Sequence, residues 1–179
     1  MDMPLPRKLY TYEDWLSWED DLYTELIDGK AVMMAQPKIR HQRISGEIHR
    51  QIANYLRGKK CQVFMEAGVR LFEKKDTALI PDLIVVCDPE KLDENVCNGA
   101  PDLIVEVLSP SNFRHDKVVK FNLYLQAGVR EYWIVDPDRK IVEVYILKND
   151  EYTVRTFDEN DTIRGAVVDC EINLADVFA

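Results

Sequence analysis

Apolar residues in this chain change spacing several times, and each change marks a new element. From residue 39 to 57 they recur at Ile44, Ile48, Ile52 and Tyr55 or Leu56, one stripe of a helix, and Gly58 follows where a helix C-terminus favours glycine. Residues 11–18 predict a shorter helix, with Thr11 as N-cap and Trp15 as its apolar anchor. Two short runs, 23–27 and 31–35, flank Asp28-Gly29, a dipeptide suited to a two-residue hairpin turn. Strand-length apolar runs follow at 62–66, 69–72, 79–86 and 102–108, and the loop before the last contains Asp88-Pro89 and Asn98-Gly99. A second helix starts at Ser111 or Asn112, runs to about Ala127 and closes at Gly128. Beyond it, 131–135 reads as a buried strand, Asp136-Pro137-Asp138 as a turn, and 141–147 with 152–157 as a meander ending in a closing turn at 174–178.

Strands interrupted by two substantial helices predict an α/β or α+β layout, a central mixed β-sheet flanked by a helix on each face. At 179 residues, without repeats or a Gly/Ser linker, the chain is expected to form one domain over residues 1–179. No apolar run reaches membrane-spanning length, and residues 1–8 hold Pro4, Pro6, Arg7 and Lys8 rather than an apolar leader, so a cytoplasmic protein without a membrane partner is expected. The four cysteines form no Cys-x-x-Cys pair and no His/Cys cluster; reduced thiols and no structural zinc are expected.

A net charge of −9 argues against bulk coating of nucleic acid. Residues 38–60, however, hold seven cations against Glu47 alone, suited either to a phosphate-facing surface or to a solvated helix face.

Candidate chemistry lies in two related segments, Pro81-Asp82-Leu83-Ile84-Val85 and Pro101-Asp102-Leu103-Ile104-Val105 followed by Glu106. A carboxylate within a β-branched strand is costly unless a cation, a metal ion or solvent compensates it. Asp102 lies four residues before Glu106 on the same strand, roughly 13 Å away, too far to share one ion. Asp82 starts its strand while Glu106 lies near the end of the next, so antiparallel pairing would let the two converge. A divalent cation would relieve their repulsion; alternatively, a nearby lysine neutralises Glu106. On the following helix Arg114, Lys117 and Lys120 fall three residues apart, and Lys120, beside Phe121 and Tyr124, is the preferred cation to return to the carboxylates. Tyr132 and Trp133, in a strand dense with Val and Ile, are expected in the core rather than stacked on bases. His41 and His49 are about 12 Å apart along a helix and cannot form a zinc pair.

Together, Glu25-Leu26-Ile27-Asp28-Gly29, His41-Gln42, Pro81-Asp82-Leu83, Glu106-Val107-Leu108-Ser109-Pro110-Ser111, Asp116 with Lys120 and Tyr124, and the run from Gly128-Val129-Arg130 through Asp136-Pro137 resemble the Uma family. This bacterial group is classed with restriction endonucleases and long carried the label of a domain of unknown function. The resemblance spans roughly Tyr10 to the C-terminus. It implies the restriction-endonuclease-like fold of the PD-(D/E)XK superfamily, with Asp82, Glu106 and the Val107 carbonyl binding Mg²⁺ or Mn²⁺. Leu108 stands where the superfamily places a lysine, and the family shift of that residue onto the next helix matches Lys120. Glu25 would be a third site carboxylate or a strand-end acid, and His41 a phosphate or water contact or a structural residue.

The function expected is hydrolysis of DNA phosphodiesters by a metal-dependent endonuclease, possible as a homodimer because one site per chain must serve two strands. The alternative is a nuclease-fold binding or scaffold protein of weak or no activity, which the charge of −9 and Leu108 favour. A non-nucleolytic metal hydrolase would have to rely on oxygen ligands, because the three histidines lack metal-site spacing.

Overall fold

A computed structural model gives the fold and describes residues 8–18, 23–109 and 115–179, with side chains from residue 118 onward in the last segment. The N-terminal helix α1 spans Tyr12–Leu16; Thr11 accepts from Asp14 N and Asp14 answers on Thr11 N, a full capping box. Strands β1 (Thr24–Ile27) and β2 (Lys30–Met33) pair antiparallel through Asp28 and Gly29, both at positive φ as a two-residue hairpin requires. Helix α2 (Ile39–Leu56) follows and ends before Gly58, whose φ of 74° closes it.

Six strands form the central sheet. They are β3 (Gln62–Met65), β5 (Leu83–Val86), β7 (Leu103–Val107), β8 (Glu131–Asp136), β9 (Ile141–Lys148) and β10 (Glu151–Asp158), in spatial order β10-β9-β8-β7-β5-β3. The sheet is mixed because β7 and β8 run parallel, joined over one face by α3 (His115–Ala127), while the other neighbours pair antiparallel.

Side-chain alternation splits the core in two. Leu83, Val85, Leu103, Val105, Val107 and Trp133 point to the face covered by Ile44, Ile48, Ile52 and Leu56 of α2. Ile84, Val86, Ile104, Tyr132 and Ile134 point to the face covered by Leu123 and Tyr124 of α3. Each of the four α2 side chains, buried fully, stabilises the fold by about 1.5–3 kcal/mol, which explains why this stripe was so regular.

Several short elements depart from the sequence reading. The strand expected at 79–86 starts only at Leu83, because Pro81 interrupts it; Ala78 and Leu79 make isolated bridges to Leu26 and Val69 instead. The run at 69–72 is the shorter β4 (Gly68–Arg70), which lies outside the main sheet and pairs in parallel with β6 (Val96–Asn98), a segment read as loop. Strands β11 (Thr162–Arg164) and β12 (Glu171–Asn173) form a further pair before the closing helix α4 (Leu174–Val177). The cap expected at Ser111 or Asn112, and Arg114, lie outside the described residues, as does the Lys117 side chain.

The expectation of four reduced cysteines is overturned. Gln62 faces Val86 across β3 and β5, so the next residues out, Cys61 and Cys87, face each other, and they form a disulfide. Cys97 and Cys170 are free and buried. No helix of the described residues is long and apolar enough to cross a membrane.

Candidate active site

The β5–β7 register pairs Leu83 with Val105, and carrying it one step outward sets Asp82 opposite Glu106. The Glu106 side chain takes the face of Ile104, the α3 face, where it meets Lys120 and Tyr124. Asp82 is tied down twice: its Oδ2 accepts from Val107 N at 2.6 Å and its carbonyl accepts from Glu66 N at 3.1 Å. Asp102 takes no part; it sits at the other end of β7, holding Cys87 N at 2.6 Å and pairing with Arg130.

Helix α3 delivers the cation. Lys120 Nζ stands 3.1 Å from Glu106 Oε1 and 2.9 Å from Glu25 Oε1. Burial works against its charge, but Glu106 and Glu25 outweigh that and raise its pKa, so the ammonium stays protonated. It is therefore suited to donate to an anion and unsuited to take a proton. Glu25 reaches the site because Leu26 and Ala78 exchange two backbone bonds of 2.8 Å, which bring β1 beside the segment leading to β5; Ile80 N then donates to Glu25 Oε1 at 2.9 Å.

Tyr124, one helical turn after Lys120, donates from its hydroxyl to the same Glu106 Oε1 at 2.7 Å. The sequence offers Tyr124 only as a neighbour of Lys120 and as part of the family pattern, with no role of its own, although its i+4 spacing from Lys120 is the signal that links the two. Glu106 itself is pushed up to about 7, chiefly by burial, with Lys120 pulling down and the Asp82 and Glu25 charges pushing further up. A second residue not foreseen is Tyr23, hydrogen-bonded to Glu66 and close enough to Asp82 and Glu25 to feel both charges.

His41, in the first turn of α2, arrives from the opposite layer. Its Nε2 lies 3.0 Å from the Val107 carbonyl oxygen and 3.2 Å from Asp82 Oδ2. Burial disfavours its charged form, but the Asp82 carboxylate and the Val107 carbonyl more than compensate, and its pKa lies above the ordinary histidine value. Its Nδ1 is buried without a partner. Tyr132 and Trp133 are core residues, about 1% exposed; Tyr132 packs edge-on against Tyr124 with centroids 5.0 Å apart.

Asp82, Glu106, Lys120 and His41 line one cavity of about 540 Å³, whose rim includes Lys38 and Arg40. Arg40 is engaged there by Asp138, at 2.8 Å, and by the Pro137 carbonyl. Elsewhere in the basic stretch Arg50 pairs with Glu47 and Lys59 lies over the Tyr55 ring. Lys120 is thus held between two carboxylates, Glu25 and Glu106, while Asp82 lies against His41 and the Val107 N–H. Among the described residues no three His, Cys, Asp or Glu side chains form a ready-made metal cage. The oxygen donors that could hold a hard cation are Asp82, Glu106 and the Val107 carbonyl.

Comparison with known proteins agrees with this architecture. The crystal structure of "a putative nuclease belonging to DUF820" from Anabaena variabilis superposes with a TM-score of 0.79 at 22% identity, covering 94% of this chain and 97% of that one. The likeness shows a shared fold, a central mixed sheet with flanking helices. Two uncharacterized proteins of Synechocystis sp. are similar in sequence. The protein slr1290 is 29% identical over 142 residues, 78% of this chain and 74% of its own length; sll1609 is 26% identical over 143 residues, 77% and 81%. Residues 9–175 match the Uma2 family profile, described as "Putative restriction endonuclease". With nearly the whole chain matched, and the sheet and helices arranged as in a solved nuclease-like neighbour, this protein belongs to the Uma2 family.

Proposed function

We propose that the chain is a metal-dependent endonuclease acting on DNA phosphodiesters, with Asp82, Glu106 and the Val107 carbonyl as the seat of Mg²⁺ or Mn²⁺. The observation that supports this most is that Asp82, Glu106 and Lys120 line one cavity, with the Lys120 ammonium held by Glu106 and, behind it, by Glu25. The donor set fits a hard divalent cation: two carboxylates and a backbone carbonyl. A cation bound there would acidify the attacking water and neutralise charge on the phosphoryl group.

The chain's own residues supply the rest. Lys120, held charged by Glu25 and Glu106, presents an ammonium to the phosphoryl oxygens as negative charge builds on them. Glu25 serves as a positioning residue, because its Oε1 is taken up by Lys120 and Ile80 N. Tyr124 holds the Glu106 carboxylate in one orientation. Lys38 at the cavity rim is placed to meet the nucleic-acid backbone and offset the acidic remainder. With one site per chain, cutting both strands suits a symmetric dimer.

The test is nicking and linearisation of supercoiled plasmid with Mg²⁺, with Mn²⁺ and with chelator. Asp82→Asn and Glu106→Gln, which keep size while removing charge, should each reduce cleavage by at least about a hundredfold, in line with loss of a group acting on the transition state. Cleavage that survives both substitutions at the parent rate overturns the assignment.

A further inference from the structure

We propose that Arg40 is the phosphate-binding residue at the mouth of this cavity, and that Asp138 and the Pro137 carbonyl hold its guanidinium in a phosphate's place until nucleic acid displaces them. The inference rests on the nuclease reading given above and concerns how the substrate backbone is gripped. Its basis is a pairing pattern. Arg40 Nη1 donates to Asp138 Oδ1 at 2.8 Å, and Nη2 donates to the Pro137 carbonyl. Two nitrogens of one planar fork thus each meet an oxygen, an arrangement that two oxygens of a phosphate also satisfy. All three residues line the cavity that holds Asp82, Glu106 and Lys120.

The contact joins two elements that meet only there at the cavity. Arg40 belongs to the first turn of α2, and Asp138, 98 residues further on, to the turn between β8 and β9. The next residue of α2, His41, lies 3.2 Å from Asp82 Oδ2, so the helical turn that carries Arg40 also touches the candidate catalytic carboxylate. Other cations of the basic stretch are spent elsewhere: Arg50 pairs with Glu47 and Lys59 lies over the Tyr55 ring, and neither lines the cavity. Lys120 is held inside by Glu25 and Glu106.

The present partner is easily exchanged. The Arg40 and Asp138 side chains are 49% and 71% exposed, and an ion pair this open is worth a factor of about five at most in an equilibrium. A phosphate offers two oxygens of one anionic group to the same fork, so it competes on better terms. The turn need not unfold to release Arg40. Buried Asp136 accepts from Asp138 N and Arg139 N at 3.0 Å each, which fixes the backbone while the Asp138 side chain swings into solvent. Asp138 is thereby an internal competitor: it lowers affinity for every phosphate backbone alike and sets no base preference.

Binding of a short fluorescently labelled DNA duplex to the full chain, read by anisotropy over a range of salt, provides the test. Ca²⁺ replaces Mg²⁺ to hold cleavage off. The parent, Arg40→Gln, Asp138→Asn and the double variant are compared; both side chains are exposed, so neither change removes core packing. Arg40→Gln should weaken binding about tenfold at low salt and lower the slope of log affinity against log salt by about 0.9, the share of one phosphate contact. Asp138→Asn should tighten binding by about two- to fivefold, and this gain should vanish in the Arg40→Gln background. A gain equal in both backgrounds reports only a lost negative charge and overturns the exchange. An unchanged salt slope in Arg40→Gln overturns the phosphate contact, whatever the affinity does. Both failures leave the nuclease reading standing, because the parent still binds. A parent that binds no duplex at any salt refutes that reading and this proposal together.

Discussion

Lys120 meets Glu25 at 2.9 Å, although one lies on the helix covering the sheet and the other on a hairpin far away in sequence. The contact is buried, with Lys120 8% and Glu25 2% exposed, and it recruits Glu106 at 3.1 Å on the other side of the same ammonium. Charges placed this deep are costly singly and tolerable only together.

That interdependence predicts the effect of Lys120→Met. The apolar side chain fills a similar volume but leaves two buried carboxylates facing each other. Stability measured by urea unfolding should fall by about 3–5 kcal/mol, the usual result of breaking a buried pair from one side. Adding Glu25→Gln should recover part of it, giving a coupling of at least about 1 kcal/mol in the double-mutant cycle. Independent effects of the two substitutions would show that the cluster does not act as a unit.

Tyr124→Phe removes one hydroxyl and nothing else from the core. Its loss should cost about 1–2 kcal/mol, because the hydroxyl donates to a buried carboxylate. The Glu106 titration, followed by carbon-13 resonance of its carboxyl, should move upward from about 7, since the Tyr124 bond is among the forces holding it down. A downward move would contradict the hydrogen-bond direction.

Stability against pH should carry the signature of Glu106. Its folded pKa, about 7, lies above the ordinary value of 4.5. Between these the folded chain binds the proton more firmly than the unfolded chain, so stability without divalent cations falls as pH rises through this window. The contribution, taken as parent minus Glu106→Gln, should be no more than about 3 kcal/mol between pH 4.5 and pH 7. A difference that grows more favourable with pH would reverse the assignment.

Thiol counting checks the cysteine pairing. Cys97 and Cys170 are buried and burial pushes each thiol up to about 11, so the native chain at neutral pH should react slowly with a thiol reagent. Unfolding without reductant should release two thiols, and unfolding with reductant four. Four thiols without reductant would exclude the Cys61–Cys87 bridge.

Local pattern carried the larger elements. The stripe of Ile44, Ile48 and Ile52 defined α2 because a helix must turn the same face inward every 3.6 residues. Asp28-Gly29 defined the first hairpin because few dipeptides tolerate two positive φ angles. Strand direction was equally informative: with β5 and β7 antiparallel, the start of one meets the end of the other, which brings Asp82 to the peptide that follows Glu106. Lys120 was favoured over Lys117 by its apolar neighbours, a burial argument that also needs only nearby residues.

Partners chosen across long distances were beyond such reasoning. Three-residue strands such as β4, β6, β11 and β12 have no measurable period, so their pairing emerges only when the chain closes on itself. The same holds for Cys61 against Cys87, for Glu25 brought to Lys120 by the Leu26–Ala78 bridge, and for His41 set on Asp82 from the opposite layer. The sequence by itself determined the longer helices and strands and the stripe of residues each turns inward, because those follow from bonds between near neighbours. Only the tertiary structure decided which carboxylate meets which cation, because that depends on how two layers and a hairpin pack around one end of the sheet.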